Sequence, residues 1–303
     1  MPVLVTGGAG EIGSRLVRQL VRAGHTVRAL ALPDDPGLDR LRDVPCDLVL
    51  GDITRPETLG SAFDGVHTVY HLAAVLLVER ADLFAQVNVE GTRNVVHAAR
   101  AAGVQHLIHV SSASVVYPRS TPYSRSKRDG EQIVREGGVP CTIVRPTLVY
   151  DGDGGLEFKT FAEFVTRWPI VPLVGQGRAL KNPVHADDLI RGLLAICGNP
   201  RAPGRLYNLC GGEPLSVRQM ARLVLEQHGL RRPMLPVPLP LVHVMAMIVG
   251  RLQRRPMLME HTLAGLTQDA DLDPSSARAD LGYNPVGMRQ GIRRPPTPQE
   301  AGR

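Results

Sequence analysis

The sequence predicts an α/β fold in which a doubly wound parallel sheet is joined to a smaller C-terminal α/β domain. Three observations lead to this prediction. Short apolar runs alternate with longer helical patterns through the first half of the chain, a glycine-rich turn follows the first run, and the alternation stops after Pro146. Apolar strands separated by helices are typical of a parallel sheet that helices cover on both faces.

The elements of the first half follow from this alternation in chain order. Each predicted strand is a short apolar run rich in β-branched residues, and the predicted helices lie between such runs. The strands are PVLVT (2–6), HTVRAL (25–30), DLVL (47–50), HTVYHLAA (67–74), HLIHVSS (106–112) and CTIVRP (141–146), and the helices cover about 11–23 and 82–102 and begin again near Tyr123.

The second half begins with two segments rich in glycine and proline. DGDGGLEF (151–158) and WPIVPLVGQGRALKNP (168–183) break the alternation, so we expect loops above the sheet. A helix over 185–197 then returns to the first domain. The smaller domain continues with a strand at RLYNL (205–209), a helix over 215–228 and an apolar helix near 240–252, and residues 295–303 are expected to form a flexible tail.

Composition limits the classes of function. At 303 residues and 43% hydrophobic residues the chain can bury a large core. Its net charge is +6, but basic residues are spread among acids and aromatic residues make up only 4%, which favours small anionic ligands over nucleic acid. The four cysteines form no CxxC pair and no HExxH spacing links the histidines, so we expect no metal and regard His71, His109 and His185 as structural.

The first strand starts directly after Met1, which leaves no room for a signal peptide, and no apolar run reaches the roughly 20 residues of a membrane-spanning helix. We therefore expect a cytoplasmic protein. The segment PLPLVHVMAMIVGRLQRRP (238–256) has two interpretations. It is either an interfacial helix with basic anchors or, as we favour, a buried lid or packing helix.

The first turn reads TGGAGEIG, with glycines at Gly7, Gly10 and Gly13. In this pattern the first glycine permits a tight turn, the second lets the backbone approach a pyrophosphate, and the third allows close packing of helix on strand. The turn lies between a predicted strand and a predicted helix, which is the context that supports dinucleotide binding. The sequence thus predicts a Rossmann-type dinucleotide-binding domain over 1–146 and 183–199, and a substrate-binding domain over 147–182 and 200–294.

The choice between NAD and NADP stays open at this point. An acid at the end of the second strand would bind the adenosine ribose, and an Arg there would pair with a 2′-phosphate. Ala31 and Leu32 occupy that place, with Arg28 and Asp34 nearby. Asp52, after the third strand, is expected to hold the adenine amino group or else to cap a turn.

The stretch TPYSRSK places Tyr123 and Lys127 four residues apart. On a helix these two side chains share a face, which would lie at the carboxyl edge of the sheet, where ligands bind. A phenol titrates near pH 10, and a nearby ammonium group together with a positively charged nicotinamide would lower that value. Tyr123 is therefore a candidate to exchange a proton with a substrate hydroxyl while hydride moves to or from the cofactor.

Several motifs in order resemble the extended short-chain dehydrogenase/reductase family, and in particular its NAD-dependent nucleotide-sugar epimerase/dehydratase group. The resemblance runs from about residue 2 to 294. The motifs are TGGAGEIG, GDI, HLAA (71–74), NVEGTRNV (88–95), HVSSASVVY (109–117), YSRSK (123–127), VRPTLVY (144–150), PVHADDL (183–189) and LYNLCGGEPLS (206–216).

This resemblance implies roles for individual residues. Tyr123 would be the general acid/base, and Lys127 would hold the nicotinamide ribose and tune Tyr123. The residues expected to line the cofactor are Gly7, Gly10, Glu11, Ile12, Gly13, Asp52, Ile53, Leu72, Ala73, Ala74, Asn88, Ser111, Tyr123, Lys127 and Pro146.

The resemblance also implies a serine that hydrogen-bonds the reacting oxygen, but counting back from Tyr117 puts Ala113 at that place. Ser112 is favoured for this role, with Ser114 as the alternative and Ser111 as a structural residue at the end of the strand. Lys181 stands where the group usually has an Arg, and it is expected, with Arg178 and Ser114, to contact the substrate.

Two further departures concern the reaction. The segment SSASVV has no acid beside the serine, which disfavours elimination of water, and Leu148 stands where epimerases commonly have an Asn. The leading hypothesis is an NAD-dependent, UDP-glucose 4-epimerase-like enzyme that acts on a nucleotide sugar through a transient ketone. Since the cofactor then ends as it began, tightly held NAD is favoured and NADP is not excluded.

Two alternatives stay open. The first is an NAD(P)-dependent alcohol dehydrogenase or ketoreductase that acts on a sugar, a steroid or another carbonyl compound with the same Tyr123, Lys127 and serine. The second is a non-catalytic NAD(P)-binding structural or sensor protein. The resemblance further implies a homodimer held by a four-helix contact, which the helices at 82–102 and 123–137 would supply.

Overall fold

The structure is a computed structural model that describes residues 1–76, 78, 80–151, 155–238, 241 and 260–294. Its centre is a seven-stranded parallel sheet with the order β11-β6-β5-β4-β1-β2-β3. This confirms the predicted α/β fold with a doubly wound parallel sheet. The strands are β1 (Pro2–Thr6), β2 (Thr26–Ala31), β3 (Asp47–Leu50), β4 (Thr68–His71), β5 (His106–Val110), β6 (Cys141–Pro146) and β11 (Leu206–Leu209).

The strand order reverses beside β1, which pairs with β2 on one side and with β4 on the other. From β1 the chain runs outward to β3, then returns to β4 and continues outward to β6. The carboxyl ends of β1 and β4 therefore frame a crevice, which is where ligands bind in open α/β sheets.

Helices cover both faces of the sheet because alternate residues of its strands point to opposite sides. Val3 and Val5 face one core with α1 and α6, whereas Leu4 faces the other core with α3 and α4. These helices, with one short helix, are α1 (Glu11–Arg22), α2 (Gly60–Phe63), α3 (Thr92–Ala101), α4 (Pro122–Glu136) and α6 (Ala186–Leu194).

The helix predicted over 82–102 has two parts. A π-helix spans Phe84–Gly91 and continues directly into α3. Short 3-10 turns occur at Leu38–Leu41, Pro56–Thr58 and Ala113–Val116.

The strand β11 corrects one placement. Sequence patterns assigned RLYNL to the smaller domain, but Leu206–Leu209 pairs in parallel with Ile143–Pro146 of β6 and forms an edge of the main sheet. Pairing partners that are far apart along the chain leave no local signal, because only the folded chain brings them together.

The second half contains small sheets and two longer helices. Among the described residues of this half, the strands outside the main sheet form three pairs, β7 (Val149–Tyr150) with β10 (Val184–His185), β9 (Leu180–Lys181) with β12 (Leu215–Ser216), and β8 (Val171–Val174) with β13 (Met234–Val237). The helices are α5 (Leu156–Arg167) and α7 (Val217–Gln227), followed by shorter ones at Glu260–Thr267, Ser275–Leu281 and Met288–Gly291.

The helix α5 replaces part of the loop that was expected after Pro146. Its apolar residues Phe158, Phe161 and Val165 recur at helical spacing and pack in a core with Leu173 and Met220. Glycines on both sides of this segment concealed the pattern. The predicted apolar helix near 240–252, most of the segment 238–256 and the tail 295–303 lie outside the described residues.

Within the described residues, no helix is long and apolar enough to cross a membrane.

Candidate active site

The turn between β1 and α1 has room only for glycine at two of its marked positions. Gly7 has φ +69°, and a Cβ atom there would lie 2.9 Å from the backbone of Ala73. A Cβ atom on Gly13 would collide with the carbonyl oxygen of Gly7. No side chain caps the N-terminus of α1, so its backbone N–H groups are available to an anion. These residues fit a dinucleotide whose pyrophosphate binds at the helix N-terminus.

A buried hydrogen-bond chain supports the floor of this turn. Thr6 Oγ1 lies 2.8 Å from His71 Nδ1, and His71 Nε2 lies 2.9 Å from Thr92 Oγ1. Because the Thr92 hydroxyl donates to the Asn88 carbonyl at 2.7 Å, it accepts from His71 Nε2, and Thr6 donates to Nδ1. Burial, with the charge of Lys127, lowers the pKa of His71 to about 3, so this ring is neutral and structural.

The residues at the end of β2 and just after it, Ala31, Leu32 and Asp34, carry no positive charge for a 2′-phosphate. Leu32 is 48% exposed there, and Asp34 is exposed nearby. Arg28 is held elsewhere, because its guanidinium pairs with Asp47 at 2.7 Å and donates to carbonyls at the end of α2. Arg28 is therefore held at the edge of the sheet by these partners. This agrees with NAD, which has no 2′-phosphate.

Asp52 caps a turn, which is one of the two roles expected for it. Its Oδ1 accepts from both the backbone N–H and the hydroxyl of Thr54, each at 2.8 Å. The next residue, Ile53, is 6% exposed and packs in the core against Gly91. Ile53 thus supports the helices behind the crevice.

Tyr123 lies in the first turn of α4, where its position is set by a capping box. Thr121 caps the helix through the Ser124 backbone, and the Ser124 hydroxyl in turn accepts from the Thr121 backbone. The side chains of Tyr123 and Ser112 line the same cavity. One turn further on, Lys127 Nζ donates to the carbonyl oxygen of Val110 at 2.8 Å.

The titration of this pair differs from the expectation of a lowered pKa for the phenol. Burial raises the pKa of Tyr123, the charge of Glu157 adds to this effect, and the polar side chain of Ser112 opposes it. Burial also lowers the pKa of Lys127 to about 8, with Glu131 acting in the opposite direction. Enclosure of the site is thus the largest influence on the pKa of Tyr123.

The three serines after β5 have different partners. Ser112 Oγ lies 3.0 Å from Ser114 Oγ, so the two hydroxyls form one polar group beside Tyr123. Ser111 Oγ instead donates to Glu131 at 2.6 Å. Ser111 was also named as a cofactor contact, but its hydroxyl is used within the protein.

Glu131 ties α4 to the strand beside it. This carboxylate is 1% exposed and accepts two hydrogen bonds from Arg145 of β6, at 2.8 and 2.7 Å, and one from Arg135 at 3.0 Å. Burial acts to raise the pKa of Glu131, but the hydrogen bonds from Arg145 and Ser111 more than offset it, so the pKa lies below its usual value. The network holds the helix that carries Tyr123 and Lys127 against the sheet.

Asn88 connects the loop after β4 with α4. Its Oδ1 accepts from the Val75 backbone at 2.8 Å, and its Nδ2 donates to the Val75 carbonyl and to Ser126 Oγ, both at 3.0 Å. Ser126 in turn donates to the carbonyl of Tyr123 at 2.8 Å. Asn88 therefore positions the loop that continues from Leu72 and Ala73 beside the glycine turn.

The remaining predicted cofactor residues occupy different surroundings. Glu11 and Ala74 are exposed, and Ile12 is half-buried against the core. Pro146 lies at the end of β6 and lines the cavity in front of Tyr123.

This cavity has a volume of about 1150 Å³, counting its open mouth, and most of its wall is apolar. Tyr123, Ser112 and Ser114 form one polar side, and Tyr117, Glu157 and Lys181 form another. The apolar side chains come from both halves of the chain: Ala113, Pro146, Leu148, Phe161, Phe164, Val217, Met220, Leu266 and Ala270.

Lys181, which was predicted to contact the substrate, lines the cavity, but its ammonium group is already hydrogen-bonded within the protein. It donates to Tyr117 Oη at 3.0 Å and to the Gln268 carbonyl at 2.6 Å. Burial lowers the pKa of Lys181 to about 8, opposed by the charge of Glu157. Arg178, the other predicted substrate cation, is exposed and does not line the cavity.

Across the described ranges, no group of three or more His, Cys, Asp or Glu side chains could hold a metal ion. His185 instead caps α6 by accepting from the Asp187 backbone at 3.2 Å.

The chain matches a known family over a range that includes the glycine turn and α4. The model of the NAD dependent epimerase/dehydratase family aligns with residues 3–210, about two thirds of the chain. The chain belongs to this family. NAD is the cofactor that the family description names, and the glycine turn fits it.

Relatives of this NAD dependent epimerase/dehydratase family member include oxidoreductases. A 3 beta-hydroxysteroid dehydrogenase/Delta 5-->4-isomerase from Mycobacterium tuberculosis is 31% identical, with 95% of this chain and 87% of that protein covered. A 4-hydroxy-2-methyl-3-oxo-4-farnesyl-3,4-dihydroquinoline-1-oxide ketoreductase from Stigmatella aurantiaca is 27% identical, with 96% and 95% covered.

Among solved structures, dTDP-glucose 4,6-dehydratase from Streptomyces venezuelae, with NAD bound, is similar to this chain. The TM-score is 0.75 at 26% identity, and the match covers 97% of this chain and 96% of that one. The proteins similar to this chain are thus named for a hydroxysteroid, a farnesyl-bearing ketone and a nucleotide sugar.

Two features of this epimerase/dehydratase family member were missed from the sequence. Glu157 lies in the segment that was interpreted as a loop. Tyr117 was used only as the reference position from which the expected serine was located. The helical spacing of Phe158, Phe161 and Val165 was the available signal, since it places Glu157 in the first turn of a helix.

Proposed function

We propose that this protein is an NAD-dependent oxidoreductase that interconverts a secondary alcohol and a ketone on a large apolar compound. The observation that carries the proposal is the wall of the cavity. Tyr123 and Ser112 face a space enclosed mainly by aliphatic and aromatic side chains, which would lose little on contact with a steroid-like or long-chain substrate.

The chemistry follows from the polar side of the cavity. NAD, when bound, accepts a hydride from the alcohol carbon or, in its reduced form, returns it. In oxidation, Tyr123 Oη takes the proton of the substrate hydroxyl, and Ser112 Oγ hydrogen-bonds the same oxygen. Since burial raises the pKa of Tyr123, its reactive form depends on positive charge brought close to the phenol, and Lys127 lies one helical turn away.

The relatives agree with this substrate class. The Mycobacterium tuberculosis relative is named for 3 beta-hydroxysteroids, and the Stigmatella aurantiaca relative for a ketone that carries a farnesyl chain. Both substrates are large and mainly apolar. We extend this property, but not either compound, to the present protein.

A nucleotide-sugar epimerase is the second candidate, and Lys181 at the usual Arg position is the observation that favours it. A nucleoside diphosphate needs cations for its phosphates. Within the described part of the chain, Lys181 is the one Lys or Arg that lines the cavity, and Tyr117 and Gln268 already hold it. The second candidate therefore ranks below the first.

A substrate panel separates the two candidates. Purified protein would be incubated with NAD⁺ or NADH and, in turn, with 3β-hydroxysteroids, long-chain β-hydroxy and β-keto acids, and UDP-sugars. We expect one class of apolar substrate to react. A hydroxy compound of that class would reduce NAD⁺ to NADH, and a keto compound would consume NADH. Interconversion of UDP-sugars without net change of NAD, together with inactivity on every apolar compound, would overturn the proposal in favour of epimerisation.

A further inference from the structure

Three large apolar side chains are exposed together on the small β8–β13 sheet and the turn before it. Trp168 is 48% exposed, Ile170 46% and Leu235 53%. Leu235 pairs with Pro172 across the two strands, and Ile170 precedes Pro172 by two residues, so these side chains share the outer face of the sheet. Val171, which lies between them, faces the core. One exposed apolar side chain is ordinary, but neighbours on one face are typical of a contact surface.

Arginines surround this apolar group. Arg167 lies over the Trp168 ring, with its Cζ atom 5.9 Å from the ring centroid, and Arg232 donates to the Trp168 carbonyl oxygen at 2.5 Å. Beside Arg232 is a groove of about 840 Å³, counting its open mouth, and among the described residues a single acid, Glu226, lines it. The arginines that line the groove are Arg218, Arg222, Arg231 and Arg232. We refer to Trp168, Ile170, Leu235 and these five arginines as the Trp168 patch.

The five arginines of the patch form no ion pair with a carboxylate of the described residues. Arg218 and Arg232 donate to the backbone carbonyl oxygens of Gln176 and Trp168, and Arg167 contacts the indole ring. Arginines of the main sheet, by contrast, are paired with carboxylates. The patch therefore presents uncompensated positive charge around an apolar centre.

This combination of charges and apolar side chains fits the surface of a membrane that contains anionic lipids. Guanidinium groups bind phosphates, Trp is favoured at the level of the lipid head groups, and aliphatic side chains enter the edge of the acyl layer. Nucleic acid would bind the arginines but would gain little from Ile170 and Leu235. A second copy of this chain, with its net charge of +6, would bring like charges together.

We propose that the Trp168 patch docks the protein on the surface of an anionic lipid bilayer. The arginines contact lipid phosphates, and Trp168, Ile170 and Leu235 enter the boundary between head groups and acyl chains. The protein lies on the membrane at this face and does not cross it.

The patch belongs to elements that also wall the cavity. The helix α5, which ends at Arg167, contributes Phe161 to the cavity wall. Leu266 lines the cavity and packs in one cluster with Val174 and Val237, at the ends of β8 and β13. A bilayer bound at the patch thus lies against elements that enclose the cavity, and large apolar compounds accumulate in bilayers. The docking itself does not depend on the proposed function, because it is measured without substrate.

The sequence supplies a direct probe of the patch, because Trp168 is the one tryptophan of the 303-residue chain. The full chain would be mixed with vesicles of phosphatidylcholine, either pure or combined with phosphatidylserine, and binding would be followed by Trp168 emission and by co-sedimentation. With phosphatidylserine present we expect a blue shift of the emission and its quenching by lipids with brominated acyl chains. Added salt should weaken the binding.

The charge requirement is tested by Arg222→Gln combined with Arg231→Gln. Both side chains line the groove and are exposed. We expect the double variant to bind phosphatidylserine vesicles at least about tenfold more weakly. The matched control is Arg22→Gln combined with Arg55→Gln, which makes the same change of net charge at exposed positions of the main domain and should alter binding by less than about twofold.

The apolar requirement is tested by Leu235→Ser, which leaves every charge and Trp168 in place. We expect binding to weaken by about fivefold and the blue shift to become smaller. The matched control is Leu50→Ser on β3, where the leucine is 51% exposed but lies outside the patch. This control should bind as the wild type does.

The inference is overturned if vesicles with phosphatidylserine bind no better than pure phosphatidylcholine vesicles, or if either patch variant binds as its control does. It is also overturned if Trp168 emits as a buried indole in buffer alone, since protein would then cover the patch. Self-association in place of vesicle binding would assign the patch to a second copy of the chain. Oxidoreductase activity on apolar substrates without vesicle binding refutes the docking alone, and vesicle binding with activity only on UDP-sugars refutes the proposed function alone.

Discussion

At the scale of single residues, the site depends on groups whose protonation is set by enclosure. Tyr123 and Glu157 have raised pKa values and Lys127 a lowered one, and in each case burial is the largest cause. Each shift favours the neutral form, because an apolar surrounding disfavours charge. Enclosure thus makes the charged forms of these three groups less favourable than they are in water.

Replacement of Tyr123 by Phe removes the hydroxyl that exchanges the substrate proton and keeps the ring that packs against Phe84. We expect the oxidation rate to fall by at least about 100-fold, while NAD binding, measured by calorimetry, is retained. Retention of more than a tenth of the rate by a folded Tyr123→Phe protein would refute the role of the phenol.

A second experiment distinguishes the roles of the two neighbouring serines, Ser112 and Ser114. Ser112 acts on the pKa of Tyr123, whereas Ser114 is hydrogen-bonded to Ser112. Ser112→Ala should therefore lower kcat by about 10- to 100-fold, and Ser114→Ala should do so by a smaller factor. A larger loss of kcat in Ser114→Ala than in Ser112→Ala would assign the substrate contact to Ser114.

At the scale of elements, the site is held by contacts between α4, the loop after β4 and the strands beneath them. The capping residues at the start of α4, its repeated i,i+4 spacing and the apolar runs of β5 and β6 are all visible in the sequence. Their junction is not, because Glu131 and Arg145 are separated by 14 residues and meet only across the sheet. The sequence therefore predicts the elements better than the contacts between them.

Glu131→Gln tests that junction. It leaves the charges of Arg145 and Arg135 without a buried carboxylate, so we expect a loss of about 3–5 kcal/mol in the free energy of unfolding. The pKa of Glu131 is below its usual 4.5 in the folded chain, so the stabilisation is present above that pH and is lost as the pH falls through the folded value. Urea unfolding of the wild type and of Glu131→Gln, at neutral pH and near pH 3, measures the difference in their free energies of unfolding. The same difference at both pH values would contradict the predicted dependence on pH.

The turn before α1 is tested by Gly13→Ala. The added methyl group would meet the Gly7 carbonyl and push α1 away from β1, so NAD affinity should fall by at least about tenfold. Gly60→Ala is the matched control, since a Cβ atom there meets nothing within 4 Å. Calorimetric titration of both variants with NAD gives the comparison, and equal affinities would show that the close packing is not needed.

At the scale of the whole molecule, the expected homodimer remains a prediction. The exposed side chains of α3 and α4 include Arg93, His97, Arg125, Asp129 and Gln132, so the face they present is polar and charged. A dimer formed through these helices would depend on ion pairs and hydrogen bonds, which salt screens. Light scattering at low and high ionic strength should therefore show a dimer that weakens as salt increases, and a monomer at both would contradict the prediction.

Local patterns were sufficient for the sheet and the cofactor turn. Burial of apolar strands between helices and the glycine spacing of the first turn are properties of neighbouring residues, so they can be read along the chain. They led to the parallel sheet, to the family and to Tyr123 and Lys127. The same patterns placed β11 in the smaller domain, because its partner strand lies far away in the chain. They also left α5 as a loop, because glycines on both sides of it masked its helical spacing.

The substrate side was decided only by tertiary structure. Leu148, Phe161 and Met220 lie far apart in the sequence, and none of them marks a ligand site by itself. Folding brings them around Tyr123 and leaves Glu157 unpaired among them, because the second half of the chain packs over the carboxyl ends of the strands. The polarity of a cavity is a sum over side chains from separate elements, whereas the cofactor turn is continuous in the chain, and this difference is the physical reason that motifs identify the cofactor but not the substrate.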